Sequence, residues 1–130
     1  MKDRTMIYQN EHFYIEKEEH ELPWVKIFTK TPYKELTDLP QPIFNELWSL
    51  YAEVETIMRE YFQPDKINMA SFANMLPRVH LHVIARYSDD AYFPNPVWGK
   101  KLRQGRKIKE DFGAFYALVQ KRLKEKEEEL

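Results

Sequence analysis

The sequence predicts an α+β fold with a mainly antiparallel five-stranded sheet, one long central helix and a C-terminal helix. Three patterns carry that expectation. Short segments before residue 30 and between 66 and 86 alternate apolar with polar residues, as half-buried strands do. Apolar residues recur at three and four positions between Asp38 and Phe62, which is the spacing of an amphipathic helix. A second stripe of that kind follows Lys107.

Residues 6 to 17 read as two strands around the polar break Gln9-Asn10-Glu11, because Phe13 and Ile15 alternate with Tyr14 and Glu16. Pro23 opens a third strand over Trp24-Val25-Lys26-Ile27-Phe28, and Thr31-Pro32 closes it, since proline cannot donate to a sheet ladder. The long helix carries Phe44, Leu47, Trp48, Tyr51, Val54, Ile57, Met58, Tyr61 and Phe62 on its apolar side, with Trp48 and Tyr51 expected in the core. Asp38 is its expected N-cap, Pro40 and Pro42 fit only a first turn, and Pro64 prevents continuation. Strands near 66 to 72 and 78 to 86 follow. From Lys107 the last helix places Phe112, Phe115, Val119 and Leu123 on one side, and residues 124–130 form a charged tail expected to be solvated or frayed.

A chain of 130 residues with 43% hydrophobic content has the size of one domain, spanning 1–130. Twenty basic residues stand against 21 acidic ones, so the net charge of −1 offers no global field for nucleic acid or an anionic membrane. Recognition must then be local. The lack of cysteine excludes a disulfide framework and a thiolate metal site, and fits a reducing, cytoplasmic setting. Met1-Lys2-Asp3-Arg4-Thr5 leads into no apolar h-region, and no apolar run approaches a membrane span, so neither export nor anchoring is expected.

The chemistry concentrates in Arg78-Val79-His80-Leu81-His82-Val83-Ile84. Alternation along a strand puts Arg78, His80 and His82 on one face and Val79, Leu81 and Val83 on the other. The apolar face can pack on the long helix, leaving a guanidinium and two imidazoles on a rigid support. Such a row suits a phosphate, and a neutral imidazole is a competent nucleophile near pH 7. Two other readings stay open: polar residues on a solvent face, or a zinc chelate. The chelate is short of ligands, since His12 and His20 lie by the first hairpin and Asp89-Asp90 sits past the strand.

Taken with Pro64-Asp65-Lys66-Ile67-Asn68-Met69-Ala70-Ser71, Asn74-Met75-Leu76-Pro77 and Phe93-Pro94-Asn95-Pro96-Val97-Trp98-Gly99, the segment from Arg78 to Arg86 resembles the histidine triad superfamily. The likeness is closest to bacterial members described as diadenosine-polyphosphate-hydrolase-like, and Ile7 to Leu39 resembles their opening strands. The resemblance implies a HIT-like fold, a nucleotide-binding cleft and a symmetric homodimer whose sheets join. It also implies attack on an α-phosphate through a nucleotidyl-histidine intermediate. On this chain His80 would attack, its second ring nitrogen held by the Arg78 carbonyl, and His82 would donate to phosphate oxygens. Asn68 and Asn74 fall where amide or polar side chains contact nucleotide and phosphate. Glu16 falls where a side chain holds the ribose hydroxyls, with Tyr14 on the same face beside the base. Trp98 would wall the pocket or contact the partner subunit. No cofactor and no metal are expected.

Arg78 stands at the first triad position, Trp24 where many members carry an earlier histidine, and Met75 where a hydroxyl often aids the leaving group. Arg78 is expected either to add positive charge beside a polyphosphate or to pair with an acid at the surface. The cluster Lys100-Lys101-Leu102-Arg103-Gln104-Gly105-Arg106-Lys107 either steers polyanions or is a solvated linker. The leading expectation is an enzyme cleaving a phosphoanhydride or phosphoramidate next to a nucleoside monophosphate. The alternatives are a non-catalytic nucleotide-binding regulator and a metal-dependent hydrolase. All nucleotide readings require both imidazoles to face outward into a cleft.

Overall fold

The computed structural model describes residues 5–129. Five strands, β1 (Met6–Gln9), β2 (Phe13–Lys17), β3 (Trp24–Thr29), β4 (Lys66–Ala70) and β5 (His80–Arg86), form one sheet in the order β1-β2-β3-β5-β4, and every neighbouring pair is antiparallel. Helix α1 (Gln41–Phe62) packs on β5, and α2 (Phe112–Glu128) packs on β1 and α1. This is the α+β architecture expected from the order of elements.

Register sorts the sheet into two faces. Ile15, Ile27 and Leu81 pair across β2, β3 and β5, as do Val25 and Val83, and all five are fully buried on the helix side. Leu47, Val54, Ile57 and Met58 of α1 complete that core without exposed surface. The alternate residues therefore point to the opposite face, where β5 carries its histidines.

Several boundaries differ from the sequence expectation. Asp38 does not cap α1; it closes a 3-10 turn, Leu36–Asp38, by accepting from the Glu35 N–H, and Pro40 precedes the helix without a side-chain cap. Two prolines bracketing Gln41 remove the N–H groups that such a cap would serve, so little is lost. Trp48 and Tyr51 are half-buried at the flank of the core. β4 stops at Ala70 and β5 starts at His80, because the Val79 N–H donates to the Tyr33 carbonyl outside the sheet.

The last helix begins at Phe112, five residues after Lys107, where Asp111 accepts from the Gly113 N–H. It continues through the charged run to Glu128, because Lys126 reaches Glu53 at 3.2 Å and Glu127 accepts from the Tyr8 hydroxyl. The basic cluster is half committed to structure. Arg103 donates to the Asp90 and Phe93 carbonyls, and Arg106 pairs with Asp89 while lying 4.4 Å from the Tyr87 ring centroid. Gly105 is required there: its φ is +85°, and a Cβ would stand 2.6 Å from the Ala91 nitrogen.

Candidate functional site

Three rungs of side chains cross the face of the sheet away from the helices. Tyr14, Phe28 and His80 form the first, Glu16, Lys26, His82 and Ala70 the second, and Trp24, Ile84 and Asn68 the third. Opposed side chains in antiparallel sheets lie close enough to touch. Along the first rung they stack: Tyr14 on Phe28 at 4.8 Å and 4°, and Phe28 on His80 at 4.8 Å and 18°. His80 is thereby held flat, with 8% of its surface exposed.

Each histidine has its protonation pattern set by one neighbour. His80 Nδ1 lies 3.0 Å from the Arg78 carbonyl, the contact expected for that position. A carbonyl only accepts, so the proton sits on Nδ1 and the Nε2 lone pair is free. Among the described residues the only buried side-chain nitrogen or oxygen without a hydrogen bond is Arg78 Nε, so the unpartnered His80 Nε2 retains contact with solvent. His82 is the reverse. The Trp24 indole N–H, which can only donate, points at His82 Nδ1 from 3.1 Å, so neutral His82 carries its proton on Nε2. The two rings lie 5.0 Å apart, one offering a lone pair and the other an N–H.

Electrostatics reinforces that assignment. Burial, with help from His80 and Lys26, lowers the His82 pKa from 6.5 to about 4, against a smaller opposing pull from Glu18. Protonation would also turn the Trp24 indole toward a cation with no lone pair left to accept it. The depressed pKa makes the stability contribution of His82 complete above pH 6.5, and it is lost as pH falls toward 4. We expect acid titration through that window to cost on the order of 2 kcal/mol, allowing for partial exposure. Chemical denaturation of wild type and His82→Asn at pH 7 and 4.5 checks this: the pH-dependent loss should shrink in the variant. An equal loss in both would show that His82 titrates normally. Trp24→Phe should raise the His82 pKa, read by the chemical shift of its ring proton.

The remaining candidates fall into two groups. Glu16 and Tyr14 share the face with the histidines; Glu16 lies 3.9 Å from Lys26, which is held more closely by Glu18 at 2.9 Å. Asn68 is on the same face, its Oδ1 accepting from Arg86 Nη1 at 2.8 Å, which leaves its NH2 to point elsewhere. Trp98 stands edge-on to His82 at 5.0 Å. Asn74, by contrast, is exposed in the loop 71–79 and makes no side-chain hydrogen bond.

Arg78 corrects one expectation, that it pairs with an acid at the surface. The residue precedes β5, and its Nη2 donates to the carbonyls of Thr29 and Lys30 at 2.6 and 3.2 Å. Its guanidinium lies 5.9 and 6.0 Å from the Tyr14 and Phe28 ring centroids. Among the described residues it pairs with no acid; it straps the start of β5 to the end of β3, because carbonyls at a strand end are strong acceptors for a guanidinium.

Sequence reasoning missed Lys26 and Phe28, although both sit at outward positions of a strand it recognised. It also missed the ion pair that supports the third rung. Arg86 and Asp90 are 2% and 1% exposed in their side chains and meet at 2.9 Å. Burial alone would raise the Asp90 carboxyl, but Arg86 and the N–H groups of Tyr87, Tyr92 and Phe93 outweigh it and hold the pKa at about 2. Among the described residues no three His, Asp or Glu side chains converge as metal ligands would, and no helix is long and apolar enough to cross a membrane.

The sheet face away from the helices thus carries two imidazoles on one strand of an α+β fold. Residues 2–89 match the HIT domain, and the chain belongs to that family. Solved structures agree on the fold. A histidine triad protein from Marinobacter aquaeolei is 25% identical, with 94% of this chain and 93% of that one covered and a TM-score of 0.74. One from Bradyrhizobium japonicum is 24% identical, covering 90% and 87%, with a TM-score of 0.71. A Zn-bound histidine triad family protein from Mycobacterium smegmatis is 21% identical, covering 93% and 86%, with a TM-score of 0.61. No curated protein gives a significant match.

Proposed function

We propose that the protein is a nucleotidyl hydrolase or transferase that cleaves a phosphoramidate or phosphoanhydride beside a nucleoside monophosphate, with His80 as nucleophile. The observation that carries this is the pair of fixed tautomers, His80 with a free Nε2 lone pair and His82 with an Nε2 proton. The lone pair forms a bond to the α-phosphorus, and the pair of the breaking bond goes to the leaving nitrogen or oxygen, which takes a proton from solvent. Water then attacks phosphorus, the pair of the P–N bond returns to His80, and the nucleoside monophosphate leaves. The His82 N–H donates to a non-bridging oxygen throughout, stabilising charge without needing a cationic imidazole.

Glu16 accepts from the ribose hydroxyls in this scheme, Tyr14 flanks the base, and Asn68 and Asn74 supply amide donors from β4 and the loop after it. Arg78 holds His80 through its carbonyl, and its guanidinium, beside Tyr14 and Phe28, adds positive charge next to the phosphates. Trp98 borders the leaving group.

Quenching a reaction with an adenosine phosphoramidate or diadenosine polyphosphate at alkaline pH, where phosphorylated imidazole survives, should leave a nucleotidyl group on the peptide containing His80. An adduct on another residue, or turnover with no adduct at all, would remove His80 from the mechanism. Nucleotide binding without turnover of either substrate would instead favour the regulator, in which the change to Arg78 has ended catalysis.

We also infer a homodimer joined through β4, which among the described residues is an edge strand paired with β5 alone and exposes Lys66 and Met69. Light scattering should return twice the mass of a 130-residue chain. A monomer at micromolar concentration would refute the pairing.

A further inference from the structure

On the side of the sheet opposite the histidines, a cavity of about 300 Å³ opens between β1, the first half of α1 and the end of α2. Tyr8 reaches it because it pairs with Ile15, whose side chain faces the helices. The floor is apolar, made by Leu50, Leu123 and the Tyr8 ring, all three buried. The rim is polar, with Glu46 and Ser49 from α1, Asn10 from the β1–β2 turn and Glu127 from α2. An apolar concavity of this volume with a few converging polar groups has the make-up of a small-molecule site.

The polar groups at the rim are joined. Asn10 Nδ2 lies 3.3 Å from the Tyr8 hydroxyl and 3.5 Å from Glu46, and the hydroxyl donates to Glu127. One hydrogen-bonded arc therefore borders the cavity and ends in a carboxylate on each side. Lys126 also reaches the rim, but Glu53 holds it at 3.2 Å. Glu46 and Glu127 form no ion pair among the described residues. Burial, the hydrogen bond to Glu127 and the charges of Glu127 and Glu46 push the Tyr8 phenol up to about 12, against an opposing pull from Asn10. Surroundings that resist an added negative charge favour a positive one.

We infer that this cavity binds a small organic monocation, a protonated primary amine on a compact hydrocarbon body, of about ten non-hydrogen atoms in all given the cavity's volume. The body rests on Leu50, Leu123 and the Tyr8 ring, and the ammonium, with three donors, bridges Glu46 and Glu127. A diamine fits less well, because its second charge would be set on the apolar floor. The two carboxylates repel anions, so a nucleotide is not the ligand, and the site stands whatever the role of His80. Its occupant ties the end of α2 to α1 and to Asn10, whose Oδ1 shapes the β1–β2 turn by accepting from the N–H groups of His12 and Phe13. A ligand that binds only the folded chain raises Tm with its concentration.

The test titrates the full chain with cyclohexylmethylammonium, neutral cyclohexylmethanol and 1,4-butanediammonium, following heat and backbone amide shifts. We expect the monoamine to bind about tenfold more tightly than the alcohol, the scale of a hydrogen bond to a charged group, and more tightly than the diamine. Amide shifts should move at Leu50 and Leu123 and stay fixed at His80. Glu46→Gln combined with Glu127→Gln, both at the rim, should bring amine and alcohol to the same affinity. Ser49→Trp, an exposed helix position, should fill the cavity and abolish binding of both. No saturable binding of the monoamine overturns the site. Equal affinity of wild type for amine and alcohol, a diamine that binds best, or amine binding that survives in both variants overturns it as well.

Discussion

His80→Ala is expected to lower turnover of any cleaved nucleotide by about 10⁴-fold while nucleotide affinity stays within about threefold. The loss is large because the attacking lone pair has no substitute. His82 is 5.0 Å away, but its Nδ1 accepts from Trp24 and its Nε2 carries the proton, so it presents no free pair to phosphorus. Affinity is spared because the groups assigned to the nucleoside, Glu16 and Tyr14, stand on β2, across β3 from the histidines. Isothermal titration with a nucleoside monophosphate and single-turnover kinetics separate the two quantities. Turnover within tenfold of wild type would show that water attacks directly and that His80 serves another purpose.

The second large effect concerns stability. Asp90→Ala should cost about 3–5 kcal/mol, the usual penalty for stranding one partner of a buried ion pair. For a chain of this size that is a fall in Tm of roughly 10–20 °C. Asp90 receives two hydrogen bonds from Arg86 and one each from the N–H groups of Tyr87, Tyr92 and Phe93. Removing it leaves the Arg86 charge with the Asn68 and Asn95 oxygens as acceptors and the Phe93 ring at 5.7 Å, and no anion. A double replacement, Arg86→Met with Asp90→Leu, should be milder than Asp90→Ala, since no charge is then buried alone. Calorimetry of both variants decides it; a double variant no more stable than the single one would mean that the backbone contacts of Asp90, not its charge, dominate. Because Arg86 also holds Asn68, Asp90→Ala should weaken nucleotide binding as well as the fold.

The parts legible in the sequence share one property: they depend on local period. Alternation in Phe13 to Glu16 and in Arg78 to Ile84 is a consequence of strand geometry, and the three-and-four spacing from Phe44 to Phe62 is a consequence of helical pitch. Element ends were less legible, because they depend on distant acceptors. Residue 79 leaves the sheet for the Tyr33 carbonyl, and the tail beyond residue 124 stays helical because Glu53 and Tyr8 meet it. Asp38 satisfies every local criterion for a helix cap, yet it closes the preceding turn.

What the sequence by itself determined is which residues face outward from each strand, including the two histidines, and that they could be held on one rigid face. Tertiary structure alone decided what stands beside them. The β3–β5 register places Phe28 against His80 and Lys26 against His82, and Trp24 reaches the His82 ring from the next rung. Register is a long-range choice made by burying Ile27, Leu81, Val25 and Val83 together on the helix side, so it cannot be read from either strand alone. That choice brings the Trp24 indole to His82, while the Arg78 carbonyl two residues back holds His80, so two chemically identical side chains carry opposite protons.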